Sequence, residues 1–146
     1  MQTHNINLNS KVEGHLFHLA IGNFDGIHLG HQQIINLLVK EAKKLNRPSA
    51  ILSFNPHPRQ FFSRELDQYQ ILSEEKKQLI FTELGIDHYF CLKFDELLSN
   101  LSPVDFIKKI IVDQLKVEKL IVGYDFRFGK DRKGDTNLLL DHGKIH

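Results

Sequence analysis

The chain has 146 residues and carries 19 lysines and arginines against 18 aspartates and glutamates, a net charge of +1. This balance predicts that neither nucleic acid nor an anionic membrane surface is a partner. A single cysteine excludes an internal disulfide, and no apolar run reaches the roughly 18 residues that a membrane helix needs. The polar start, residues 1–13, lacks the apolar core of a signal peptide. We therefore expect one cytoplasmic domain that spans residues 1–146.

Apolar runs and helical periodicities alternate after this polar start. The predicted strands are 16–21, 49–54, 88–92 and 119–122, and the predicted helices are 32–45, 73–83 and 102–115. Strands that alternate with helices predict a parallel sheet covered on both faces, which is a doubly wound, Rossmann-like α/β fold. Such a sheet binds its ligands beyond the carboxyl ends of the strands, at the switch in strand order.

Serines mark the starts of two predicted helices, because Ser73 and Ser102 precede them as N-caps and proline follows Ser102 at the first helical position. In the second helix we place Lys76 and Lys77 on the outer face. The residues expected on the buried face of the third helix are Val104, Ile107, Ile111 and Leu115.

A turn rich in glycine and histidine follows the first predicted strand. Gly22, Gly26 and Gly30 let the backbone approach a ligand closely. His28 and His31 are three residues apart at a helix N-terminus, where unpaired N–H groups and the helix dipole favour phosphate. A glycine-rich turn of this kind is common in α/β folds, so the histidine pair is what points to a nucleoside triphosphate.

The same histidines could instead form half of a metal site. Zinc needs three or four ligands, and His57 is a candidate third ligand. Cys91, the only cysteine, lies in an apolar run and is expected to be an inert core residue.

Two further loops follow predicted strands and carry aromatic and basic residues. Phe61 and Phe62 come after the Pro-His-Pro loop, and Phe126 and Phe128 come after the last strand. These rings form either an aromatic wall for a flat heteroaromatic ligand or a staple that holds the loops on the core. The cations between Arg127 and Gly134 form either a solvated loop or a cover for phosphate.

Three blocks together resemble one family. They are Gly22 to His31, Ser53 to Pro58, and Val122 to Gly129 with Arg132 to Asp135. The H-x-G-H signature resembles the nucleotidyltransferase superfamily, and the full set is most similar to the FMN adenylyltransferase module of bacterial bifunctional riboflavin kinase/FMN adenylyltransferases. The resemblance implies a nucleotidyltransferase-type fold, ATP and FMN as substrates, Mg²⁺, and adenylyl transfer that gives FAD.

The resemblance also implies roles for individual residues. The catalytic residues are His28 and His31. The nucleotide-binding residues are Gly22, Asn23, Phe24, Asp25, Gly26, Gly30, Gly123 and Arg132. The flavin-binding residues are Asn55, Pro56, His57, Pro58, Phe62, Asp125, Phe126 and Phe128. From the residues alone, His57 could instead fix its loop by a hydrogen bond, and Asp125 could cap a turn. No metal-binding residue is implied.

The chain departs from the family pattern at its end. The sequence stops at His146. The family pattern continues with a further strand and a Ser/Thr-rich motif ending in an arginine that contacts ATP, and neither these elements nor a riboflavin kinase domain is in this sequence. We therefore expect a C-terminally shortened domain with impaired turnover and an uncovered sheet edge that promotes self-association. The alternatives are a catalytically weak flavin- or nucleotide-binding module, and a related nucleotidyltransferase with another acceptor.

Overall fold

The computed structural model describes residues 1–12, 16–24, 29–55, 73–123, 128–135 and 137. Within these residues one five-stranded parallel sheet has the order β1-β4-β3-β2-β5. The strands are β1 Gln2–Ile6, β2 Phe17–Ile21, β3 Ser49–Asn55, β4 His88–Lys93 and β5 Val117–Val122. The predicted α/β class is confirmed.

The described helices connect these strands. They are α1 Leu29–Lys44, α2 Glu74–Glu83, α3 Glu96–Ser99 and α4 Pro103–Phe106, which continues as a π-helix over Ile107–Gln114, and a 3₁₀ turn covers Lys130–Arg132. Both serine caps are confirmed, since Ser73 accepts from the backbone N–H of Lys76 and Ser102 from that of Asp105. None of the helices in the described ranges combines the length and the apolar character needed to cross a membrane.

Two hydrophobic clusters cover the two faces of the sheet, because successive strand residues point to opposite sides. Leu19 on β2 belongs to the cluster under the π-helix, which contributes Ile110. Ala20, the next residue, belongs to the cluster under α1 and α2, which contribute Ile35 and Phe81. The sheet is therefore doubly wound, as predicted.

The strand order reverses between β2 and β5. The chain steps from β2 to β3 to β4 in one direction and then returns, so that β5 pairs with the other side of β2. This is the switch point at which open α/β sheets bind ligands. Gly22 and Gly123 directly follow the two strands that border it.

Three sequence-based expectations are wrong in detail. Lys77 is 3% exposed rather than on the outer face of its helix, and Val104 is 37% exposed rather than buried. β1 was not predicted. Its only buried residue is Ile6, so this polar edge strand lacks the apolar pattern by which the others were found.

The π-helix also departs from the single α-helix expected over 102–115. Its i to i+5 bonding, for example from Leu115 N–H to Ile110 O at 2.9 Å, turns Ile110 and Gln114 inward. Val104 lies in the α-helical turn that precedes the π-helix.

Candidate active site

Three predicted blocks begin at the same edge of the sheet. Gly22 follows β2, Asn55 ends β3 and Gly123 follows β5, and these strands are parallel neighbours. Gly22 N–H donates to Leu52 O at 3.2 Å, which fixes the start of the turn against β3. The convergence expected from the sequence is therefore present for the described parts of the blocks.

The buried side chain of Phe24 anchors the turn on the core. Its side chain is 3% exposed, its φ is +51°, and its ring meets Phe81 and His31 edge-on at centroid distances of 5.7 and 5.1 Å. A Cβ on Gly22 would lie 3.1 Å from Phe24 Cε2, so any larger residue here would push the Phe24 ring by a few tenths of an ångström. Because the ring is buried, Phe24 can offer a ligand only its backbone, and its side chain sets the position of His31.

His31 lies in the first turn of α1, which starts at Leu29 and thus earlier than predicted. Its side chain is partly exposed, and Gly30 precedes it in the same turn. The first N–H groups of a helix lack intrahelical acceptors and attract anions. His31 is therefore held beside a feature suited to phosphate.

Asn23 contributes a buried acceptor at the same place. Its side-chain oxygen Oδ1 is shielded from solvent and has no hydrogen-bond partner among the described residues. A buried unsatisfied oxygen costs about 1–3 kcal/mol, so this atom can accept a hydrogen bond from a donor outside the described residues.

A buried polar chain lies behind the turn and was not found from the sequence. The Lys77 ammonium donates to the Asn23 carbonyl oxygen at 3.2 Å and lies 3.5 Å from Glu74 Oε1. Tyr89 OH donates to Glu74 Oε2 at 2.6 Å, and Ser53 Oγ, 2.7 Å away, donates to Tyr89 OH because the tyrosine proton is already committed. Burial, with the Glu74 hydrogen bond second, raises the pKa of Tyr89 far above its usual range.

Cys91 is a core thiol, as expected. It is 5% exposed, and burial raises its pKa to about 11. A buried thiol that stays protonated at neutral pH is a poor nucleophile, which fits a packing role for Cys91.

The segment after β5 packs by its aromatic residue and exposes its cations. Phe128 is 5% exposed, its ring lies 5.4 Å from that of Phe106, and it forms an antiparallel bridge with Gly134. Its ring is thus part of the core and not of an open wall. Arg132 and Lys133 are exposed on the same segment, which fits both a solvated loop and a cover for phosphate.

Known proteins resemble this chain over most of its length. A family model described as FAD synthetase matches residues 11–146. The chain belongs to the FAD synthetase family.

Relatives of this chain include the bifunctional riboflavin kinase/FMN adenylyltransferases of Buchnera aphidicola from Schizaphis graminum and of Pseudomonas fluorescens. The first is 38% identical over 94% of this chain and 42% of its own length, and the second is 42% identical over 85% and 40%. The chain therefore spans about two-fifths of the length of these relatives. A crystal structure of a macrolide-efflux protein from Streptococcus pneumoniae matches with a TM-score of 0.81 at 24% identity, over 97% of this chain and 47% of the other, which shows the fold.

The described structure places half of the predicted site. The residues that it brings to the carboxyl edge are Gly22, Asn23, Phe24, Gly30, His31, Asn55 and Gly123, with Arg132 and Phe128 on the segment after β5. The predicted residues outside the described ranges are Asp25, Gly26, His28, Pro56, His57, Pro58, Phe62, Asp125 and Phe126. The roles of the residues in both groups stay predictions.

Proposed function

We propose that this chain transfers the adenylyl group of ATP to the phosphate of FMN, which gives FAD and pyrophosphate. The observation that carries the proposal is the Gly22–Phe24 turn at the strand-order switch, with His31 in the first turn of α1. Membership of the FAD synthetase family supports the same reaction.

The arrangement suits catalysis by positioning. An FMN phosphate oxygen attacks the α-phosphorus of ATP in line, the bond to the bridging oxygen breaks, and pyrophosphate leaves with that electron pair. His31, and His28 as its predicted partner, donate hydrogen bonds to phosphate oxygens as charge builds on the leaving group. The N-terminal N–H groups of α1 add fixed positive potential there.

Mg²⁺ belongs to the substrate in this proposal. The described residues contain no group of three His, Cys, Asp or Glu side chains that could hold a metal ion, so this part of the chain offers no ligand set. ATP phosphates and water are the ligands that Mg²⁺ would keep, and there it would neutralise phosphate charge.

The flavin is assigned to the rim formed by β3 and the segment after β5. Asn55 ends β3 and is exposed at that rim, which makes it available to a ligand. Phe128 would support the pocket from below, since its ring is buried. The Pro-His-Pro loop with Phe62, and Asp125 with Phe126, complete the proposed pocket.

The proposal extends to the surroundings of the enzyme. The chain matches the FAD synthetase model over residues 11–146, so adenylyl transfer is the activity that we assign to it. ATP as substrate and a single buried, reduced cysteine favour the cytoplasm. Within the described sheet β5 pairs with β2 alone, and its outer edge is the surface we assign to self-association, which sedimentation velocity at rising concentration tests.

Incubation with FMN, Mg²⁺ and ATP labelled at the α-phosphate tests the reaction. Labelled FAD is the expected product. Flavin fluorescence quenching without product would mark a binding module, and adenylation of another acceptor without any flavin response would mark a different nucleotidyltransferase. A chain that neither binds flavin nor consumes ATP would refute the proposal.

Histidine variants test the division of roles. His28→Ala and His31→Ala are expected to slow transfer by about a hundredfold or more, the usual scale for a lost transition-state donor, and to leave FMN binding nearly intact. Asn36→Ala, on the exposed side of α1, is the control. An equal loss of flavin binding in the histidine variants would contradict the assignment.

A further inference from the structure

A buried lysine contacts the proposed nucleotide turn from behind. Lys77 is 3% exposed, although the adjacent Lys76 on α2 is exposed. An ammonium that loses its water needs hydrogen-bond partners, and those of Lys77 are the Asn23 carbonyl at 3.2 Å and Glu74 Oε1 at 3.5 Å. The buried charge is therefore aimed at the backbone of the turn.

The lysine is itself held by the sheet. Glu74 Oε2 accepts a hydrogen bond from Tyr89 OH at 2.6 Å, and Tyr89 OH is hydrogen-bonded to Ser53, which is fully buried on β3. A buried ion pair adds little net stability compared with apolar side chains of the same size, but its hydrogen bonds hold the charged groups in one orientation. Its effect here is to fix one carbonyl relative to two central strands.

The hydrogen bond that holds the Asn23 carbonyl also sets the orientation of the Phe24 N–H. The peptide unit between Asn23 and Phe24 is planar and trans, so its N–H points away from its C=O. With the Asn23 oxygen facing Lys77, the Phe24 N–H faces away from α2, and no described residue accepts from it. Rotation of this peptide would turn a carbonyl oxygen toward the crevice, where it would repel phosphate.

We propose that Lys77 is a positioning residue for ATP, which holds the Asn23–Phe24 peptide so that its N–H and not its C=O faces the phosphate chain. This inference rests on the proposed adenylyl transfer. It assigns a role to a side chain that the turn motif does not contain.

Three variants test it: Lys77→Met, Lys77→Arg, and Lys76→Met as the matched exposed control. Amide hydrogen exchange of residues 22–24 in the ligand-free protein reports the turn directly. We expect Lys77→Met to speed that exchange, to raise the KM for ATP about ten- to a hundredfold as expected for loss of a charged hydrogen bond, and to leave the KM for FMN within about twofold. Lys77→Arg, which keeps a charged donor, should recover most of the ATP affinity.

Unchanged exchange at 22–24 in Lys77→Met would overturn the inference, and so would equal rises in both KM values. If the unaltered chain makes no FAD, the proposed function fails, while exchange and ATP binding by calorimetry still decide the role of Lys77. If Lys77→Met does not fold, Lys77→Arg and Glu74→Gln decide it. Glu74→Gln removes the counter-charge and should raise the KM for ATP severalfold, whereas unchanged ATP affinity and unchanged exchange in Glu74→Gln would refute the positioning role.

Discussion

Replacement of Gly134 by alanine tests how tightly the segment after β5 is packed. A Cβ at this position would lie 2.7 Å from Phe128 Cε2 and Cζ, against an ordinary contact of 3.4–4 Å, so one group must move by at least about 0.7 Å. The ring cannot move freely because Phe128 is 5% exposed and packs on Phe106. The backbone is also held, since Gly134 N–H donates to Phe128 O at 2.9 Å and Phe128 N–H returns a bond at 3.2 Å.

Two opposing effects set the size of the loss. Overpacking of a buried site costs about 1–3 kcal/mol, whereas Gly→Ala restricts the unfolded chain and returns about 0.4–1 kcal/mol. We therefore expect Gly134→Ala to lower the free energy of unfolding by about 1–2 kcal/mol. Urea unfolding measures this loss as a lower midpoint at constant m-value.

A double-mutant cycle separates the clash from other effects of the alanine. Phe128→Leu removes the ring atoms that meet the new Cβ, so Gly134→Ala should cost less in that background, with a coupling of about 1 kcal/mol. Gly134→Ala that is as stable as the unaltered chain, or equally costly in both backgrounds, would show that this packing argument is wrong.

Further substitutions probe the turn and the buried polar chain. Gly22→Ala should push the Phe24 ring, raise the KM for ATP severalfold and leave the urea midpoint nearly unchanged; a large loss of stability without a change in KM would contradict this. Tyr89→Phe removes the hydrogen bond from Tyr89 to Glu74 and should lower the free energy of unfolding, measured in urea, by about 1–3 kcal/mol. An unchanged free energy of unfolding would show that this hydrogen bond does not stabilise the fold. The raised pKa of Cys91 makes the thiolate easier to form in the unfolded chain. Stability should therefore be full below pH 9.0 and fall by about 2–3 kcal/mol as the pH rises to about 11. Cys91→Ala should make the fall in stability with pH less steep. An equally steep fall in Cys91→Ala would show that the Cys91 thiol is not its cause.

The strands that build the core were predictable because their patterns are local. β2, β3 and β4 are short apolar runs, and the serine caps of α2 and α4 lie where a hydroxyl satisfies an unpaired N–H. β1 escaped prediction because an edge strand needs little apolar surface. The same reasoning brought Gly22, Asn55 and Gly123 to one edge, since parallel strands that alternate with helices end on the same side.

The burial of individual side chains was less accessible. From the sequence, two adjacent lysines on a helix are equally suited to its solvent-exposed face. The tertiary contact with the Asn23 carbonyl is what distinguishes Lys77 from Lys76. Phe128 was a candidate for an open aromatic wall, and its contact with Phe106 on another element places it in the core.

By itself, the amino-acid sequence determined the fold class, the family resemblance and the edge of the sheet where ligands should bind, because periodicity, caps and glycine turns act over a few residues. The tertiary structure alone decided that a lysine on α2 contacts the Gly22–Phe24 turn and is held there by hydrogen bonds that lead to β3 and β4. Partners of this kind are 54 positions apart for Lys77 and Asn23, and only packing brings them together.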